Sequence, residues 1–267
     1  MQTLSGTLYD HPVWYDLVFG SDWKAEHDFL LACFARFAKG KVKSLFEPAC
    51  GTGRLLYRLA KGGYKVSGLD LNPFAVEFCN RRLKKHGFAE TTFVGDMTDF
   101  TLPKPVDAAF NTINSFRHLQ TERQAKAHLR AMGAAVRPGG LYLLGLHLTP
   151  LAGEDICDEE SWASRRGNLA ATSHLKTFGL DLEERIERCR MEVNVYTPTK
   201  SVRVVDELVF RTYTAAQMKQ LLKSQPQWEI AGTFDFRYNL KLPIEVDRET
   251  QDVVYVLRRL AVPANKE

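Results

Sequence analysis

The sequence predicts an α/β protein with one doubly wound, largely parallel sheet. Strand and helix patterns alternate from residue 43 to about residue 148, a glycine-rich turn at 51–53 joins the first strand to the first helix, and two more strand patterns follow residue 228. Strands separated by helices form right-handed parallel crossovers, which build a doubly wound sheet. These observations together predict seven strands in the sheet.

Each element of the alternating part has a local signal. Gly62-Gly63 closes the first helix, Pro73 opens the second at a position where a missing N–H costs little, and Thr121 with Gln124 forms a capping box for the third. Arg137 to Gly140 is predicted as a turn before the fifth strand. The predicted strands of this part are 43–48, 64–70, 91–94, 106–111 and 141–147.

The pattern changes between residues 150 and 212. An acidic loop at 153–160 comes first, and apolar residues then alternate with polar ones at 191–195 and 202–204, on either side of the turn 197–200. This arrangement indicates a hairpin, so we expect an antiparallel β insertion over 150–212. After it come a helix that begins with the capping box of Thr214 and Gln217, and the strands 228–236 and 252–260.

Composition indicates an ordinary globular chain of 267 residues with a formal net charge of +4. The densest basic group, Arg81-Arg82 with Lys84-Lys85, suits a helix C-terminus, and a weak anionic partner is the alternative. The five cysteines are odd in number and lack metal-ligand spacing, so neither a disulfide framework nor a metal site is indicated. The start of the chain shows no secretory signal and the apolar run 141–148 is too short for a bilayer, so we expect a cytoplasmic protein.

The turn at 51–53 is the first candidate binding site. Glycine there permits positive φ and lets a ligand approach the backbone at the carboxyl ends of the strands. Asp70 ends the second strand, where its carboxylate can accept hydrogen bonds from ribose hydroxyls. A dinucleotide site would have a third glycine where Leu56 stands, and Glu47 would repel a pyrophosphate. A cationic ligand such as a sulfonium with an ammonium group suits the turn better, and a purely structural turn is the alternative.

Several stretches in order resemble class I S-adenosylmethionine-dependent methyltransferases. Glu47 to Gly53 followed by Leu69-Asp70 looks like the family's motif I and its acidic successor, and Gly95-Asp96-Met97 looks like its adenine-contacting stretch. Asn111 to Leu119, NTINSFRHL, is similar to the NSF-x-HL loop of glycine N-methyltransferase-like enzymes, and Arg137 to Gly140 matches the family's turn. The resemblance covers residues 43–148 well, and 205–262 by element order.

The resemblance implies a Rossmann-like, doubly wound α/β sheet of seven strands, mostly parallel with the last strand antiparallel, and an antiparallel β insertion after strand 5. We expect one methyltransferase domain over 1–267, with an N-terminal helical cap at 1–42 and the insertion at 150–212 acting as a lid or dimer surface. The implied S-adenosyl-L-methionine site has the methionine end at Glu47, Ala49, Gly51, Gly53 and the backbone carbonyl of Asn111, the ribose at Asp70, the adenine at Leu71, Asp96 and Met97, and Tyr15 folded over the cofactor.

Candidates for chemistry and acceptor binding lie in the loops after the strands. His118 and His147 are the proposed catalytic residues, because an amine or hydroxyl acceptor must lose a proton. Each also has a structural reading, His118 as a tie between loops and His147 as a partner of nearby backbone. The predicted substrate-binding residues are Tyr9, Asn114, Arg117, Trp162 and Arg190, and the other residues singled out in the insertion are Arg165, Arg166, Tyr196 and Arg211.

The predicted function is methyl transfer from S-adenosyl-L-methionine to a small molecule, on nitrogen or oxygen. An RNA or protein methyltransferase and a non-catalytic cofactor-binding scaffold are the alternatives. The stretch after the fourth strand, Asn111-Thr112-Ile113-Asn114, is not the Asn/Asp-Pro-Pro-Tyr/Phe type of amino-methylating nucleic-acid enzymes. The basic character is also below the usual nucleic-acid footprint, so we expect no nucleic-acid or membrane partner, while a homodimer fits the insertion.

Overall fold

A computed structural model describes residues 2–4, 6–150 and 159–261 of the chain. The described helices are α1 Pro12–Phe19, α2 Lys24–Phe37, α3 Leu56–Lys61, α4 Pro73–Lys85, α5 Glu122–Ala135 and α6 Ala215–Lys223. The described strands are β1 Gln2–Leu4, β2 Ser44–Pro48, β3 Lys65–Asp70, β4 Thr92–Val94, β5 Val106–Asn111, β6 Val136–His147, β7 Glu159–Arg166, β8 Leu169–Asp181, β9 Ile186–Tyr196, β10 Ser201–Arg211, β11 Trp228–Phe234 and β12 Asp252–Arg259.

The larger sheet has seven strands in the order β11-β12-β6-β5-β2-β3-β4. Strands β2 to β6 pair in parallel, whereas β12 runs antiparallel to both of its neighbours. The predicted fold class, including the antiparallel last strand, is therefore confirmed. Strand β2 lies between β3 and β5, so the strand order reverses there, and a crevice for a ligand opens beyond its carboxyl end.

Helices cover both faces of this sheet because its strands are apolar on both sides. On β6, Tyr142 and Leu144 face a core that includes Leu129 of α5 and Met218 of α6. The alternate residues Leu141 and Leu143 face the other core, which α2, α3 and α4 cover with side chains such as Phe29, Leu59 and Leu83. Burial on both faces fixes the register of the strand ends that carry the candidate site.

The insertion forms a second sheet in the order β1-β10-β9-β8-β7. The predicted hairpin is confirmed: β9 and β10 pair antiparallel, and Thr197 N–H donates to the Lys200 carbonyl in the turn. Two more strands than the hairpin requires, β7 and β8, extend it. The predicted acidic loop lies mostly outside the described residues, since only Glu159 and Glu160 of it are described, at the start of β7.

The segment 1–42 holds α1 and α2, and β1 joins it to the insertion by parallel pairing with β10. One local prediction needs correction. The predicted turn from Arg137 to Gly140 lies inside β6, where these four residues bulge between the pairs Val106–Val136 and Ala108–Leu141. The glycine signal was real, since Gly139 has a φ of +77°, but it marks a bulge within a strand.

Among the described residues, none of the helices combines the length and the apolar character needed to cross a membrane.

Candidate active site

The chain turns sharply after β2, at the crevice of the larger sheet. Ala49, Gly51 and Gly53 have φ values of 54°, 51° and 67°, so three left-handed residues fall within five positions. Cys50 N–H donates to the Leu69 carbonyl at 2.8 Å, and Gly53 N–H donates to the Cys50 carbonyl at 2.9 Å. These bonds lead the chain from the strand end into α3, which begins at Leu56.

The two glycines of the turn have different surroundings. A Cβ atom on Gly53 would lie 2.2 Å from Cys79 Sγ, so this glycine is required for close packing against α4. A Cβ atom on Gly51 would meet only Tyr15 Cε1, at 3.6 Å. Gly51 therefore leaves open space next to the backbone under the Tyr15 ring, where a ligand can approach. Gly53, also predicted as a cofactor contact, shapes the turn through packing.

Asp70 closes this turn from the end of β3. Its carboxylate accepts the Gly51 N–H at 2.8 Å and the Asn72 N–H at 2.9 Å. Burial raises the pKa of Asp70, and the two N–H donors oppose that shift. Asn72 in turn caps α4, accepting the N–H of Phe74 and of Ala75. A carboxylate held this rigidly at a strand end can accept two neighbouring hydroxyls of a ribose.

Two buried acceptor oxygens beside the turn have no hydrogen-bond partner among the described residues, Glu47 Oε2 and Asn111 Oδ1. Glu47 is 8% exposed, and burial raises its pKa well above the usual range although the Arg54 guanidinium counteracts this. Asn111 donates its Nδ2 to the Pro48 carbonyl at 2.9 Å, which holds the ends of β2 and β5 together. Buried acceptors normally have donors, so these oxygens indicate a ligand that brings N–H groups.

An ion pair that the sequence did not indicate supports this end of the site. Arg54 lies 2.5 Å from Glu26 Oε2, and the buried Glu26 also accepts the hydroxyl of Thr112. Tyr238 donates its hydroxyl to the Thr112 carbonyl at 3.4 Å. The pair joins α2, the turn and the loop after β5, which are far apart along the chain. No sequence spacing marks such a contact.

Apolar surface lies at the other end of the crevice, after β3 and β4. Leu71 is 69% exposed and Val94 is 56% exposed. Asp96 follows on the surface and accepts the Thr98 N–H at 2.7 Å, whereas Met97 is buried and its carbonyl accepts from His128 Nδ1 at 2.9 Å. The exposed apolar side chains and the carboxylate together can pack against a flat base and bind its amine, as predicted for adenine.

The N-terminal segment covers the turn with two tyrosines. The rings of Tyr9 and Tyr15 lie 5.5 Å apart, and the Tyr9 carbonyl accepts from Asn72 Nδ2 at 3.1 Å. Burial, followed by the nearby Asp70 charge, raises the pKa of Tyr15 to about 12. Both phenols therefore stay protonated and can only act as hydrogen-bond donors or acceptors, or as an aromatic cover.

His118 lies at the edge of this cover. Its Nε2 is 3.2 Å from the Tyr9 hydroxyl, and its ring is 4.9 Å from that of Phe210 on β10. Desolvation, with the charge of Arg117 next, lowers the pKa of His118, and the residue keeps solvent-exposed surface. The imidazole is consequently neutral at pH 7 and able to accept a proton.

His147, at the end of β6, has a carboxylate partner that the sequence analysis missed. Its Nδ1 lies 2.5 Å from Asp252 Oδ1, and the two residues are opposite each other in the β6–β12 register. The Phe236 ring packs 5.0 Å from the imidazole. The sequence signal for this pair is its position. Asp252 is the first residue of the last strand, and it lies opposite His147, the last residue of the antiparallel neighbour β6.

Asn114 shapes the loop that carries His118. It has a φ of 56°, donates its N–H to the Gly145 carbonyl at 3.2 Å and accepts the His147 N–H on Oδ1 at 2.8 Å. Its side-chain oxygen is thus occupied in tying the loop to β6. Of the Asn114 side chain, the amide nitrogen is the atom that remains available for the predicted contact with an acceptor molecule.

Of three other predicted acceptor ligands, two anchor the insertion and the third lies on its exposed face. Arg117 is buried in an ion pair with Glu187 and donates Nε to the Arg211 carbonyl at 3.1 Å. Trp162 donates Nε1 to the Val18 carbonyl of α1 at 3.3 Å. Arg190 pairs with Glu207 on the opposite face of β9 from Cys189 and Met191, which pack inward. Strand alternation thus places Arg190 on the exposed face of β9, and its contact with an acceptor stays a prediction.

The other insertion residues singled out in the sequence are the three arginines at 165, 166 and 211, which bond to other parts of the protein, and Tyr196. Arg166 reaches the buried Asp16 of α1 at 2.7 Å, Arg165 donates to the Gly167 carbonyl, and Arg211 donates to the Gln120 carbonyl at 2.8 Å. Tyr196 lies exposed at the end of β9. From the insertion, Phe210 contacts the crevice, because its ring packs against that of His118.

Comparison with known proteins supports the fold first. A crystal structure of a S-adenosylmethionine-dependent methyltransferase from Clostridium acetobutylicum superposes with a TM-score of 0.75 at 15% identity, covering 93% of this chain and 97% of that one. The architecture described above is thus a class I methyltransferase fold.

The sequence comparisons add a family match over part of the chain. Residues 46–140 match the family described as "Methyltransferase domain", which confirms the resemblance predicted from the motifs. Two relatives are the dTDP-3-amino-3,4,6-trideoxy-alpha-D-glucopyranose N,N-dimethyltransferase of Streptomyces venezuelae, 29% identical over 51% of this chain and 56% of its own, and the dTDP-3-amino-3,6-dideoxy-alpha-D-glucopyranose N,N-dimethyltransferase of Streptomyces fradiae, 32% identical over 49% and 50%. The matched region spans about half the length of these relatives.

Proposed function

We propose that this protein is an S-adenosyl-L-methionine-dependent methyltransferase whose acceptor is the amine of a small molecule. The observation that carries the cofactor assignment is the pair of unpartnered buried oxygens, Glu47 Oε2 and Asn111 Oδ1, next to the glycine turn. An ammonium group supplies the donors that these acceptors lack. Asp70, at the end of the neighbouring strand, accepts from the ribose hydroxyls.

The amine acceptor is proposed from the chemistry of the relatives and of the site. Both relatives are N,N-dimethyltransferases that act on amino sugars. In the reaction, the nitrogen lone pair forms a bond to the methyl carbon while the carbon–sulfur bond breaks and sulfur keeps the electron pair. The cofactor supplies the activated methyl group, so this chain contributes positioning and exclusion of water.

The nitrogen must lose a proton, and we assign its acceptance to His118. The ring is neutral at pH 7, and the Tyr9 hydroxyl 3.2 Å from Nε2 can orient it. His147 is the alternative acceptor, because the Asp252 carboxylate fixes its ring and stabilises the imidazolium that would form. Substitution of each histidine separately distinguishes the two.

The cofactor proposal is tested by thermal unfolding with and without S-adenosyl-L-methionine, its demethylated product or NADH. A ligand at about 100 times its dissociation constant stabilises the folded state by roughly 2.7 kcal/mol. We expect both sulfur compounds to raise the unfolding temperature, NADH to have no effect, and Asp70→Ala to reduce the shift. Glu183→Ala, at an exposed carboxylate of the insertion, is the matched control and should leave the shift intact. No shift with either sulfur compound would refute the cofactor.

The acceptor proposal needs turnover. Methyl transfer from radiolabelled cofactor is measured with nucleotide-linked amino sugars, their hydroxyl analogues, and bulk tRNA. Product from the amino compounds alone supports the proposal. Transfer to the hydroxyl analogues or tRNA would favour an O-methyltransferase or an RNA methyltransferase, and cofactor binding without transfer to any acceptor would favour the scaffold alternative.

The homodimer and the cytoplasmic location stay predictions. Light scattering of the purified protein and fractionation of cells test them.

A further inference from the structure

A second cleft lies behind the cofactor turn, between α1, α3, α4 and β7. Its volume is about 470 Å³. Its charged lining is strongly unbalanced, with five cationic side chains and one carboxylate, namely Arg58, Arg81, Arg82, Lys85, Arg166 and Asp16. The basic group noticed in the sequence at 81–85 thus receives two further arginines, one from α3 and one from the insertion.

Only part of this charge is compensated. Asp16 pairs with Arg82 at 2.5 Å and with Arg166 at 2.7 Å, and Arg81 pairs with Glu77 at 2.6 Å. Among the described residues, no carboxylate forms an ion pair with Arg58 or Lys85. The cleft therefore holds a surplus of positive charge that α3 and α4 bring together.

Arg58 is held by two aromatic rings and a backbone carbonyl and has no carboxylate partner among the described residues. Its guanidinium lies 4.2 Å from the Trp23 ring centroid and 4.4 Å from that of Tyr57, and it donates to the Arg54 carbonyl. Burial lowers the pKa of Arg58, and the charge of Arg82 adds to the shift. His86, on the other side of Tyr57, has its pKa lowered by desolvation and then by Lys61 and Lys85. Cations crowded in this way are stabilised by an anion.

The side chains that line the cleft indicate which kind of anion it can bind. Guanidinium groups bind phosphate oxygens in a planar, bidentate manner, and several converge here from three elements. The Phe78 ring, 4.9 Å from the Arg82 guanidinium, adds apolar surface at the wall. The enclosing elements limit the ligand to a small molecule, because a nucleic acid backbone is tracked by an extended basic stripe.

We propose that this cleft binds a small molecule with at least two phosphate groups, of the class of inorganic pyrophosphate or a nucleoside diphosphate. The site is distinct from the cofactor crevice but linked to its turn. Thr52 donates its hydroxyl to Asp16 at 3.0 Å, and Arg82 donates to the Thr52 carbonyl at 3.0 Å. The proposal does not depend on the proposed methyltransferase activity.

The test is calorimetric titration of the full chain with inorganic pyrophosphate and, separately, with ADP. Both are measured at low and at moderate salt, with and without a saturating amount of the demethylated cofactor. We expect binding that the demethylated cofactor does not block and that salt weakens. Similar affinities would show that the diphosphate alone is recognised, and tighter binding of ADP would show that the base contributes.

Variants locate the site. Arg58→Gln and Lys85→Gln should each weaken pyrophosphate binding about tenfold, the loss of one charge-assisted contact. Arg130→Gln on α5 and Lys219→Gln on α6 remove exposed charges elsewhere and should leave affinity unchanged. Lys85 is exposed, so its variant tests the site even where Arg58→Gln affects folding. Equal effects from the control variants, absence of binding, competition by the demethylated cofactor, or tighter binding of a short RNA than of either diphosphate would overturn the proposal.

Discussion

At the residue scale, we expect the buried carboxyl group of Glu47 to make cofactor binding depend on pH. Burial raises its pKa well above that of the unfolded chain, so the folded, unliganded protein keeps a proton there to higher pH. Stability of the unliganded protein should therefore fall as pH rises from about 4.3, the usual glutamate pKa, through the raised pKa. A bound ammonium lowers the pKa again, so binding in that window releases a proton and strengthens with pH.

The measurement is calorimetric titration with the cofactor in two buffers of different ionisation enthalpy. Glu47→Gln should abolish the proton release and weaken binding roughly tenfold or more, as for loss of a hydrogen bond to a charged group. Glu183→Gln, on the surface of the insertion, is the matched control. Proton release that persists in Glu47→Gln would assign it to another group.

The two glycines of the turn should respond differently to alanine. Gly53→Ala places a Cβ atom 2.2 Å from Cys79 Sγ, and overpacking of this kind costs about 1–3 kcal/mol in unfolding free energy. The double variant with Cys79→Ala should regain part of that loss. Gly51→Ala meets only an ordinary contact with Tyr15, so it should lose only the roughly 1–2 kcal/mol of placing alanine at a left-handed φ of 51°, and its larger effect should be on ligand binding. Chemical denaturation measures the stability of the three variants, and cofactor titration measures their binding. A larger loss of stability in Gly51→Ala than in Gly53→Ala would contradict this division of roles.

His118 should determine how kcat falls at acidic pH, that is, the acidic limb of the profile of kcat against pH. Desolvation and the charge of Arg117 lower its pKa, so the neutral form that accepts a proton persists below pH 6.5, the usual histidine value. His118→Asn should lower kcat by roughly 100-fold and remove that limb. His147→Asn serves as the comparison. A limb lost only in His147→Asn would transfer the proton acceptance to the His147–Asp252 pair.

At the element scale, one largely buried ion pair anchors the insertion to the loop that carries His118. Arg117 holds Glu187 of β9, and although burial raises the pKa of Glu187, the Arg117 charge lowers it below the usual range. Arg117→Gln leaves the partly buried Glu187 carboxylate with only the Thr177 hydroxyl and the Cys189 thiol as donors, so it should cost up to about 3–5 kcal/mol in unfolding free energy, the value for breaking a fully buried pair. The double variant with Glu187→Gln should regain much of it. The contribution of Glu187 is present above its unfolded pKa and lost as pH falls through its folded pKa.

Denaturant titration measures this effect, and the same strand offers the control. Arg190 on β9 forms an exposed ion pair with Glu207, so Arg190→Gln should change stability by less than about 1 kcal/mol. Equal losses from Arg117→Gln and Arg190→Gln would show that burial of the first pair has no energetic consequence.

The same element shows what sequence reasoning could reach. The capping boxes at Thr121 and Thr214 and the proline at Pro73 are local signals, and the helices begin where these signals place them. The motifs also place Glu47 and Asp70 at the ends of adjacent strands. By contrast, the pairing of Arg117 with Glu187 joins residues 70 positions apart, so no periodicity or spacing carries it. Arg190 was selected for its charge alone, which says nothing about the face of the strand.

At the scale of the whole molecule, the seven-stranded sheet followed from the order of its elements, whereas the connections between its two sheets did not. Strand β1 pairs with β10, and Asp16 of α1 joins Arg82 of α4 to Arg166 of β7. These contacts depend on tertiary packing and carry no sequence pattern of their own. They make the N-terminal segment part of both the cofactor crevice and the proposed phosphate cleft.

The cover of the crevice has a consequence for the order of folding. Thr7 donates its hydroxyl to Asp206, 199 residues along the chain, and Leu8 N–H also donates to that carboxylate. Closing a loop of that length costs about 5 kcal/mol in chain entropy, so contacts of this separation form late. During synthesis the turn at 49–53 leaves the ribosome long before Asp206 exists. A nascent chain can therefore form the turn at 49–53 well before the N-terminal segment can be fixed over that turn by its contacts with Asp206.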